Sequence, residues 1–341
     1  MRTRQVHLVR RPDGIPSVDD FAVREVELPA LKPGQVLIEN LFMSVDPYMR
    51  RSMDEAAHDL APWPIGGALN GPSAGRIIES RNADFEPGDI VESMSGWQEH
   101  FISDGDPFVH YISADTAIAK RAANHDPKDY LGLFGVAAMT AYVAFNDAAS
   151  IEPEQTVVIS SGAGTVGSLA CQIAKIEGAR VVTSAGSDAK VRWLLDDIGV
   201  DFAFNYKSRA AGEALKEACP KGIDLVLENV SPEHLSACLP LMNTGGTALI
   251  AGFVSAYAGG ATPRIENFEF VLERYLTIKA FPFTDYLGAY DRFVADMAAW
   301  RRTGKIKLRE TIFDGLESAP AALRSLFTGA EAGKSLVRLS R

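Results

Sequence analysis

Residues 157–190, VVISSGAGTVGSLACQIAKIEGARVVTSAGSDAK, decide the fold of this chain. An apolar, β-branched run leads into the turn GAGTVG (162–167), a helix-like segment follows, and a second β-branched run, RVVTSA, comes next. The pattern G-x-G-x-x-G gains meaning in this strand–turn–helix context. Glycine lets the backbone pass close to a pyrophosphate, and the helix N-terminus offers free N–H groups to the anion. The stretch therefore predicts a dinucleotide-binding turn.

The alternation of strands and helices continues beyond this stretch. Apolar strand-like runs recur with helix-like segments such as 168–178 and 211–222 between them. The predicted strands are VVISS (157–161), RVVTSA (180–185), FAFNY (202–206), DLVLEN (224–229), TALIAGF (247–253) and LTIKAF (276–281). Six strands in this order predict an α/β fold with a parallel, doubly wound sheet.

The chain before this region has a different texture. Residues 1–127 contain short strand-like runs split by turn signals such as LKPGQ and EPGD, which predicts an antiparallel β domain. The runs are QVHLVRR (5–11), FAVREVELP (21–29), QVLIENLFMSV (35–45), AGRIIESR (74–81) and DIVESMSGWQEHFIS (89–103). Residues 129–149 are apolar and helix-like, and residues 308–341 predict strand, helix and strand.

Composition limits the possible functions. The chain has 341 residues, 47% of them apolar and 23% charged, which suits two globular domains. A formal net charge of −10 argues against a general nucleic-acid binder or a protein of anionic membranes. The N-terminus lacks the apolar core of a secretory signal, and the longest apolar run, 131–145, is shorter than the ~20 residues of a membrane span. We therefore expect a cytoplasmic location, with no nucleic-acid or membrane partner.

The end of the second strand bears on the choice of cofactor. NAD-binding sheets usually place an acid there to hold the ribose 2′-hydroxyl, but TSAGS (183–187) contains none. Asp188 follows and is expected in the first turn of a helix capped by Ser187. Lys190 and the nearby Tyr206 favour NADP(H). From spacing alone, however, Lys190 fits a solvated helix lysine equally well.

Further motifs carry a resemblance to a known family. In chain order they are NLFMSVDPYMR (40–50), FEPGDIV, SGWQEH, MTAY (139–142), GSDAK, NYK, GIDLVLENV and IFDGLESAPAALRSLFTG followed by GK. With these motifs the chain resembles the zinc-independent medium-chain dehydrogenase/reductase family, in the branch of the leukotriene B4 dehydrogenase/prostaglandin reductases and the double-bond reductases, curcumin reductases among them. The resemblance covers almost the whole chain.

The resemblance implies an architecture. A GroES-like β barrel domain would comprise residues 1–127 plus 303–341, and a Rossmann NADP-binding domain would comprise residues 128–302, with the cofactor in the cleft between them. It also implies a homodimer, by analogy with relatives that pair their Rossmann sheets edge to edge.

The resemblance also implies cofactor contacts. Lys190 and Tyr206 would hold the 2′-phosphate, Gly164, Thr165 and Val166 would cover the pyrophosphate, and Asn229 would contact the nicotinamide side. The full set of expected cofactor residues is Gly162, Gly164, Thr165, Val166, Gly167, Gly186, Ser187, Lys190, Tyr206, Asn229, Phe281 and Phe283. Phe42, Phe281, Phe283 and Tyr286 are expected to form apolar walls of the substrate pocket.

A metal centre is not expected. Residues 1–127 contain no cysteine, and Ser-Val-Asp-Pro stands where zinc-dependent relatives carry a ligand cysteine. His58, His100 and His110 lack metal-like partners in the sequence. The three cysteines of the chain are widely spaced and predict neither a disulfide framework nor a zinc cluster.

The activity implied is NADPH-dependent reduction of a carbon–carbon double bond conjugated to a carbonyl, on small hydrophobic enones and enals. Without zinc, hydrogen-bond donors must stabilise the enolate. Tyr257, in AGFVSAY, is the first candidate donor and Tyr48, in SVDPYM, is the second, although either ring would also serve in packing. Asp46 and Arg50 are expected to hold their loop. An NADPH quinone reductase and a low-turnover NADPH-binding regulatory protein are the alternatives.

Three departures from the family pattern lie near the expected site. Residues 136–138, Val-Ala-Ala, replace a Met-Pro-Gly turn, Glu331 replaces a usual asparagine, and Pro282 removes a backbone donor after the sixth strand. They bear on nicotinamide contacts and on the substrate pocket rather than on the fold.

Overall fold

The structure is a computed structural model that describes residues 1–55, 61–108, 116–122, 124–257 and 264–340. The N-terminal strands are β1 (Arg2–Leu8), β2 (Phe21–Glu27), β3 (Val36–Ser44), β4 (Ser73–Ser80), β5 (Ile90–Ser93), β6 (His100–Ser103) and β7 (Ile118–Arg121). All their pairings are antiparallel, as the sequence predicted. A short helix, α1 (Met49–Ser52), follows β3.

One predicted strand differs from the structure. The stretch 89–103 forms two strands, β5 and β6, separated by a turn rather than one continuous strand. Gly96 lies between the two strands and lets the backbone pass close to Gly71, because an added Cβ there would lie 2.8 Å from the main-chain oxygen of Gly71. Trp97 is completely buried beside it and stacks on Phe21, with ring centroids 5.7 Å apart. Burial of this indole therefore interrupts the strand.

The middle of the chain is the doubly wound unit. Its strands are β8 (Thr156–Ile159), β9 (Arg180–Ala185), β10 (Phe202–Asn205), β11 (Ile223–Glu228), β12 (Met242–Ile250) and β13 (Thr277–Ala280). They form one parallel sheet in the order β10-β9-β8-β11-β12-β13. In chain order this is 3-2-1-4-5-6, the Rossmann arrangement. All six predicted strands and the parallel sheet are confirmed.

Helices cover this sheet on both faces. They are α2 (Val136–Val143), α3 (Thr165–Ile176), α4 (Asp188–Trp193), α5 (Ala211–Ala218), α6 (Pro232–Cys238), α7 (Val254–Tyr257), α8 (Glu269–Glu273) and α9 (Tyr290–Arg302). The apolar segment 129–149 is α2 continued by a π-helical turn at Ala144–Ala148 and preceded by a 3₁₀ turn at Pro127–Tyr130. No helix within the described ranges is long and apolar enough to cross a membrane.

The C-terminal segment returns to the first sheet. It forms β14 (Glu310–Asp314), α10 (Ala319–Thr328) and β15 (Lys334–Arg338), as predicted. β15 pairs antiparallel with β3 and parallel with β14, so the first sheet runs β14-β15-β3-β4-β5-β7. The last strand of the chain is therefore the neighbour of a central strand of the first unit.

Two glycines of the GAGTVG turn are required by packing. A Cβ on Gly162 would lie 2.1 Å from Thr183 Oγ1 on β9, and one on Gly167 would lie 2.1 Å from the main-chain oxygen of Ser161. Ser161 itself is left-handed, with φ 54°, which is uncommon outside glycine. The glycines therefore let α3 begin directly against the end of β8.

We predict that Gly167→Ala lowers the free energy of unfolding by about 1–3 kcal/mol, because the new methyl group has no space beside the Ser161 carbonyl. Urea denaturation is the measurement. The matched control is Gly212→Ala in α5, where an added Cβ meets nothing within 4 Å. This control should be neutral or stabilising by up to ~1 kcal/mol. Equal effects of the two substitutions would contradict the packing argument.

Candidate active site

The candidate site lies where the order of the parallel strands reverses, between β8 and β11. Ligands of doubly wound sheets bind in this crevice, outside the carboxyl ends of the strands. The GAGTVG turn follows β8, and Asn229 follows β11. The glycine turn and Asn229, both predicted from the sequence to contact the cofactor, are therefore neighbours in space. Asn229 donates from its main-chain nitrogen to Ser160 Oγ (2.7 Å) and from Nδ2 to Ser160 O (3.0 Å).

The start of α3 is suited to an anion. Gly164 is its N-cap residue and supplies no side-chain acceptor for the first N–H groups of the helix. Thr165 and Val166 follow in the first turn and are half-buried. Twelve residues of helix direct a positive dipole end toward the crevice. Backbone N–H groups and a glycine with no Cβ fit a pyrophosphate, which is what the pattern predicted.

The end of β9 has the arrangement expected for a 2′-phosphate. Ser187 caps α4 by accepting from the main-chain nitrogen of Lys190 (3.4 Å), so Asp188 lies in the first helical turn, as the sequence suggested. The Asp188 carboxylate accepts from Asn205 Nδ2 (2.8 Å). Tyr206 lies over Gly186, where an added Cβ would be 3.1 Å from its hydroxyl oxygen. Gly186 therefore provides the space that this phenol uses.

Three cations surround this position. Lys190 is half-buried, and its Nζ donates to the main-chain oxygens of Gly329 (2.9 Å) and Glu331 (2.5 Å). Burial lowers the pKa of Lys190, Lys207 and Arg309 lower it further, and Glu331 opposes them. Lys207 packs beside Gly186, where an added Cβ would lie 3.4 Å from its Cε, and the Arg309 guanidinium lies 5.8 Å from the centroid of the Trp193 ring at the end of α4. The positive cluster and the engaged Asp188 fit a phosphate better than a free ribose hydroxyl.

The C-terminal tail joins the two halves of the site. Gly333 donates from its main-chain nitrogen to Ala163 O (2.8 Å) and accepts from Thr165 Oγ1 (3.0 Å). The next residue, Lys334, is buried, and its ammonium donates to Ser44 Oγ and Asp46 Oδ1, both at 2.5 Å. The tail thus contacts the glycine turn on one side and the loop after β3 on the other.

The two candidate donors, Tyr257 and Tyr48, come from elements that face each other across the cleft. Tyr257 ends α7, and its hydroxyl oxygen would lie 2.9 Å from a Cβ on Gly252. The guanidinium of Arg51, in α1, lies 5.5 Å from the centroid of the Tyr257 ring. Tyr48 precedes α1, and its ring packs on the core of the first unit. Tyr257 is therefore the candidate closer to the crevice.

The loop between β3 and α1 has the partners expected of a scaffold. The buried Arg50 donates to Gly14 O (2.7 Å) and Pro12 O (3.3 Å) and pairs with Asp54 (2.7 Å). Asp46 binds Lys334 and also accepts from Ser44. Both side chains are used in holding the loop, in line with the expectation from the sequence.

The aromatic candidates divide between core and cleft. Phe281 is buried in the core of the parallel-sheet unit, only 3% exposed, while Phe283 and Tyr286 are half-buried at its edge. Phe42 packs with Leu131 and Leu336 on the first sheet. Phe281 therefore supports the wall rather than forming its surface.

The substituted turn at residues 136–138 begins α2. A cavity of about 10 Å³, roughly the space of one water molecule, lies between α2 and the buried charges of the first unit. Val136, Ala137, Ser44, Asp46 and Lys334 are among its lining residues. Residues 136–138, which differ from the family pattern, thus lie against the loop after β3 that Lys334 holds.

The described residues contain no group of three or more His, Cys, Asp or Glu side chains arranged to bind a metal ion. His100 interacts with Thr3 Oγ1 (3.2 Å), whereas His58 and His110 lie outside the described residues. All three cysteines are buried in the parallel-sheet unit. Burial raises the pKa of Cys171 and of Cys219 to about 12, so both are neutral thiols at pH 7.

Several residues of the site were not predicted from the sequence. They are Ser160, Glu228, His234, Arg309 and Lys334. Glu228 and Lys334 lie inside motifs that were recognised, the ENV of 228–230 and the GK of 333–334, but the motifs alone did not indicate their partners. Their contacts join segments far apart in the chain, which spacing does not reveal.

Comparisons with known proteins agree with this geometry. Residues 4–123 match a family model described as the N-terminal domain of oxidoreductase, and residues 165–299 match one described as zinc-binding dehydrogenase. The chain is 33% identical to the NADPH-dependent curcumin reductase of Escherichia coli, over 99% of this chain and 97% of that protein. It is 35% identical to prostaglandin reductase 1 of Bos taurus, with 95% of each covered.

A solved structure is similar throughout. CurA from Vibrio vulnificus, in complex with NADPH, has a TM-score of 0.91 and 31% identity, with 99% of each chain covered. The expected architecture, a GroES-like barrel with a Rossmann unit, is confirmed by the observed sheets together with these matches.

Proposed function

Since the chain belongs to the zinc-independent branch of the medium-chain dehydrogenase/reductase family, we propose that it is an NADPH-dependent reductase of carbon–carbon double bonds conjugated to a carbonyl. The observation that carries this proposal is the end of β9, which has no acid where an NAD-binding sheet would place one and instead has Lys207 beside Gly186 and the half-buried Lys190 in α4. The relatives named as curcumin and prostaglandin reductases support the same substrate class.

The residues present fit NADP(H). Gly162, Gly164, Thr165, Val166 and Gly167 would hold the pyrophosphate at the start of α3. Gly186, Ser187, Lys190 and Tyr206 would hold the 2′-phosphate, and Asn229 would contact the nicotinamide side. Phe283 would line the same cleft, with Phe281 behind it. When bound, the cofactor supplies a hydride to the β carbon of the substrate.

The residues of the chain then stabilise the negative charge that develops on the substrate. Hydride addition to the β carbon moves negative charge to the carbonyl oxygen, and a phenol donates a hydrogen bond to it without itself carrying charge at pH 7. We assign this role to Tyr257, since it lies at the crevice beside Asn229 and Gly252. Tyr48 is the second candidate. Water is the expected source of the proton for the α carbon.

No metal is required by this scheme, because hydrogen-bond donors replace Lewis-acid polarisation. Residues 1–127 plus 303–341 would form the substrate-side domain and residues 128–302 the cofactor domain. We still predict a cytoplasmic location. The partners we predict are NADP(H), small hydrophobic enones and enals, and a second copy of the chain.

The first test is product identity with wild type and Tyr257→Phe. We expect NADPH to reduce the conjugated double bond of a simple enone and to leave the carbonyl intact. Tyr257→Phe removes only the hydroxyl, so kcat should fall by about 10², the lower end of the effect of losing one oxyanion donor, with little change in KM. Steady-state kinetics and mass spectrometry of the product are the measurements.

Two results would contradict this assignment. An allylic alcohol as the main product would reject double-bond reduction, and a quinone turned over far better than any enone would favour the quinone reductase alternative. A kcat of Tyr257→Phe within twofold of wild type would leave Tyr257 as a wall residue and transfer the role to Tyr48. Absence of turnover on the whole panel, with NADPH bound, would favour a regulatory protein.

The second test concerns the 2′-phosphate. Lys190→Ala should raise the KM for NADPH roughly tenfold to a hundredfold, since a charge-assisted hydrogen bond is worth about 1.5–3 kcal/mol. The KM for NADH should change little, because NADH has no 2′-phosphate. Lys175→Ala, which removes a surface lysine paired with Asp201 (2.9 Å), is the matched control. Equal losses with both cofactors would remove Lys190 from the phosphate site.

We also propose a homodimer formed through β13. This strand is at the edge of the parallel sheet, with only β12 as a neighbour among the described strands. An open edge invites pairing with another chain. Three large apolar side chains beside it are strongly exposed: Phe268 (54%), Leu272 (79%) and Tyr275 (76%). A second copy of the chain would cover both features.

Light scattering after size exclusion tests this proposal. Wild type should have the mass of two chains, and Leu272→Asp should shift the distribution toward one chain, because a carboxylate would be buried at the interface. Leu195→Asp, at an exposed apolar residue on a different surface, is the control and should leave the mass unchanged. A monomeric wild type at micromolar concentration would refute the dimer.

A further inference from the structure

Glu228, the last residue of β11, has an unusual environment for a carboxylate. It is completely buried, and four donors converge on it. Its Oε1 accepts from Ser160 Oγ (2.8 Å) and from the main-chain nitrogens of Val230 (2.7 Å) and Ser231 (2.9 Å). Its Oε2 accepts from His234 Nδ1 (2.7 Å). The four donors satisfy the hydrogen-bonding capacity that this buried carboxyl group would otherwise leave unmet.

His234 is directed at this carboxylate. It lies in α6, is 8% exposed, and its Nε2 has no hydrogen-bond partner among the described residues. The ring therefore makes its hydrogen bond to Glu228 through Nδ1, and the unpaired, buried Nε2 costs free energy. Burial lowers the pKa of His234, but Cys238 and Glu228 outweigh it and raise that pKa well above its usual value.

The Glu228 carboxylate organises the nicotinamide side of the crevice. Ser160 Oγ donates to Glu228 and accepts from the main-chain nitrogen of Asn229, so the carboxylate fixes the hydroxyl that holds Asn229. The turn at Val230 and Ser231 is bound by the same oxygen. The same turn also holds α7, because the main-chain oxygen of Val230 accepts a hydrogen bond from Ser255 N (2.9 Å).

The start of α7 has a second attachment to this segment. Val254 N donates to Asn229 O (3.3 Å), and Ala251 N, at the end of β12, donates to Glu228 O (2.9 Å). Three residues after Val254, the helix ends at Tyr257. The position of the Tyr257 hydroxyl therefore depends on the segment that the Glu228 carboxylate fixes.

We propose that Glu228 is a positioning residue for the reaction. Its buried carboxylate, which is bound by His234, fixes the positions of Asn229 and of α7, the helix that ends at Tyr257, relative to the bound cofactor. This proposal rests on the proposed function, because it takes the roles of Asn229 and Tyr257 from there. Neither Glu228 nor His234 touches substrate. Their effect is on geometry, and a displacement of about 1 Å in reacting groups costs on the order of 10²-fold in rate.

Glu228→Gln is the central variant. The amide oxygen of the glutamine still accepts from the three donors that bind Oε1. The amide NH2 group, however, replaces the oxygen that accepts from His234 Nδ1, and the side chain is no longer a carboxylate. We expect kcat to fall by about tenfold or more and the deuterium isotope effect on kcat, with NADPH labelled at nicotinamide C4, to rise. The Kd for NADPH should change by less than about threefold, since Lys190 and the glycine turn are untouched. A role in stability alone would not enlarge the isotope effect.

His234 supplies an independent pair of variants. His234→Asn keeps an N–H donor near the Nδ1 position, and His234→Leu removes it. We expect His234→Leu to lower kcat as much as Glu228→Gln does, and His234→Asn to have a kcat close to that of wild type. All are assayed well below the melting temperature of each protein. This pair decides the question if Glu228→Gln does not fold. Glu233→Gln, at the exposed acid in the first turn of α6, is the matched control and should behave as wild type.

The outcomes separate this inference from the proposed function. If Tyr257→Phe and Lys190→Ala behave as expected but Glu228→Gln and His234→Leu retain wild-type kcat and isotope effect, the positioning role is overturned and the proposed function stands. If wild type does not reduce conjugated double bonds at all, the proposed function fails first. A fall in kcat with a larger isotope effect and unchanged Kd for NADPH supports the positioning role.

Discussion

The backbone contact between Gly333 and Ala163 is the constraint on which the candidate site depends. It joins the residue before β15 to the glycine turn, at a position where packing against Arg309 leaves no space for a side chain. Gly333 has φ 76°, and a Cβ there would lie 2.0 Å from the main-chain oxygen of Arg309. Because this contact is made by backbone atoms, it fixes the spacing of the two domains at the start of α3. The positions of Lys190 and Lys334 on either side follow from it.

Two pairs of ionisable side chains are largely withdrawn from water near the candidate site. Lys334 and Asp46 pair at the loop after β3, and Glu228 and His234 pair behind the turn that carries Asn229. A buried ion pair contributes little net stability, because desolvation of both charges opposes their attraction. What it does provide is a single permitted geometry, since moving either partner leaves an unpaired charge in the interior. Both pairs lie directly behind segments that must be placed accurately, which is where a unique geometry is most useful.

The sequence predicted the parts of the molecule that are determined locally. The six strands of the parallel sheet, the helix start at GAGTVG and the cap at Ser187 all depend on neighbours within a few residues. The continuous strand predicted for 89–103 was wrong, because burial of Trp97 against Phe21 is a tertiary contact that period-2 alternation does not contain. The partners of Lys334 were likewise hidden, since Lys334 and Asp46 are 288 residues apart in the chain. Long-range ion pairs leave no periodic signal, and the roles of the named site residues stay predictions.

The return of the tail to the first sheet has a consequence for how the protein is made. β3 pairs with β15, whose residues 334–338 are translated long after β3, since Ser44 and Lys334 are 290 residues apart. Until β15 leaves the ribosome, residues 42–44 of β3 lack this partner, although residues 36–39 can already pair with β6. The parallel-sheet unit, in contrast, is complete in sequence before the tail emerges and is able to fold as a unit during synthesis. The tail contacts of Gly333 and Lys334 are therefore made after the parallel-sheet unit has been translated, so the nascent chain passes through a stage in which that unit can fold while the loop after β3 still lacks Lys334.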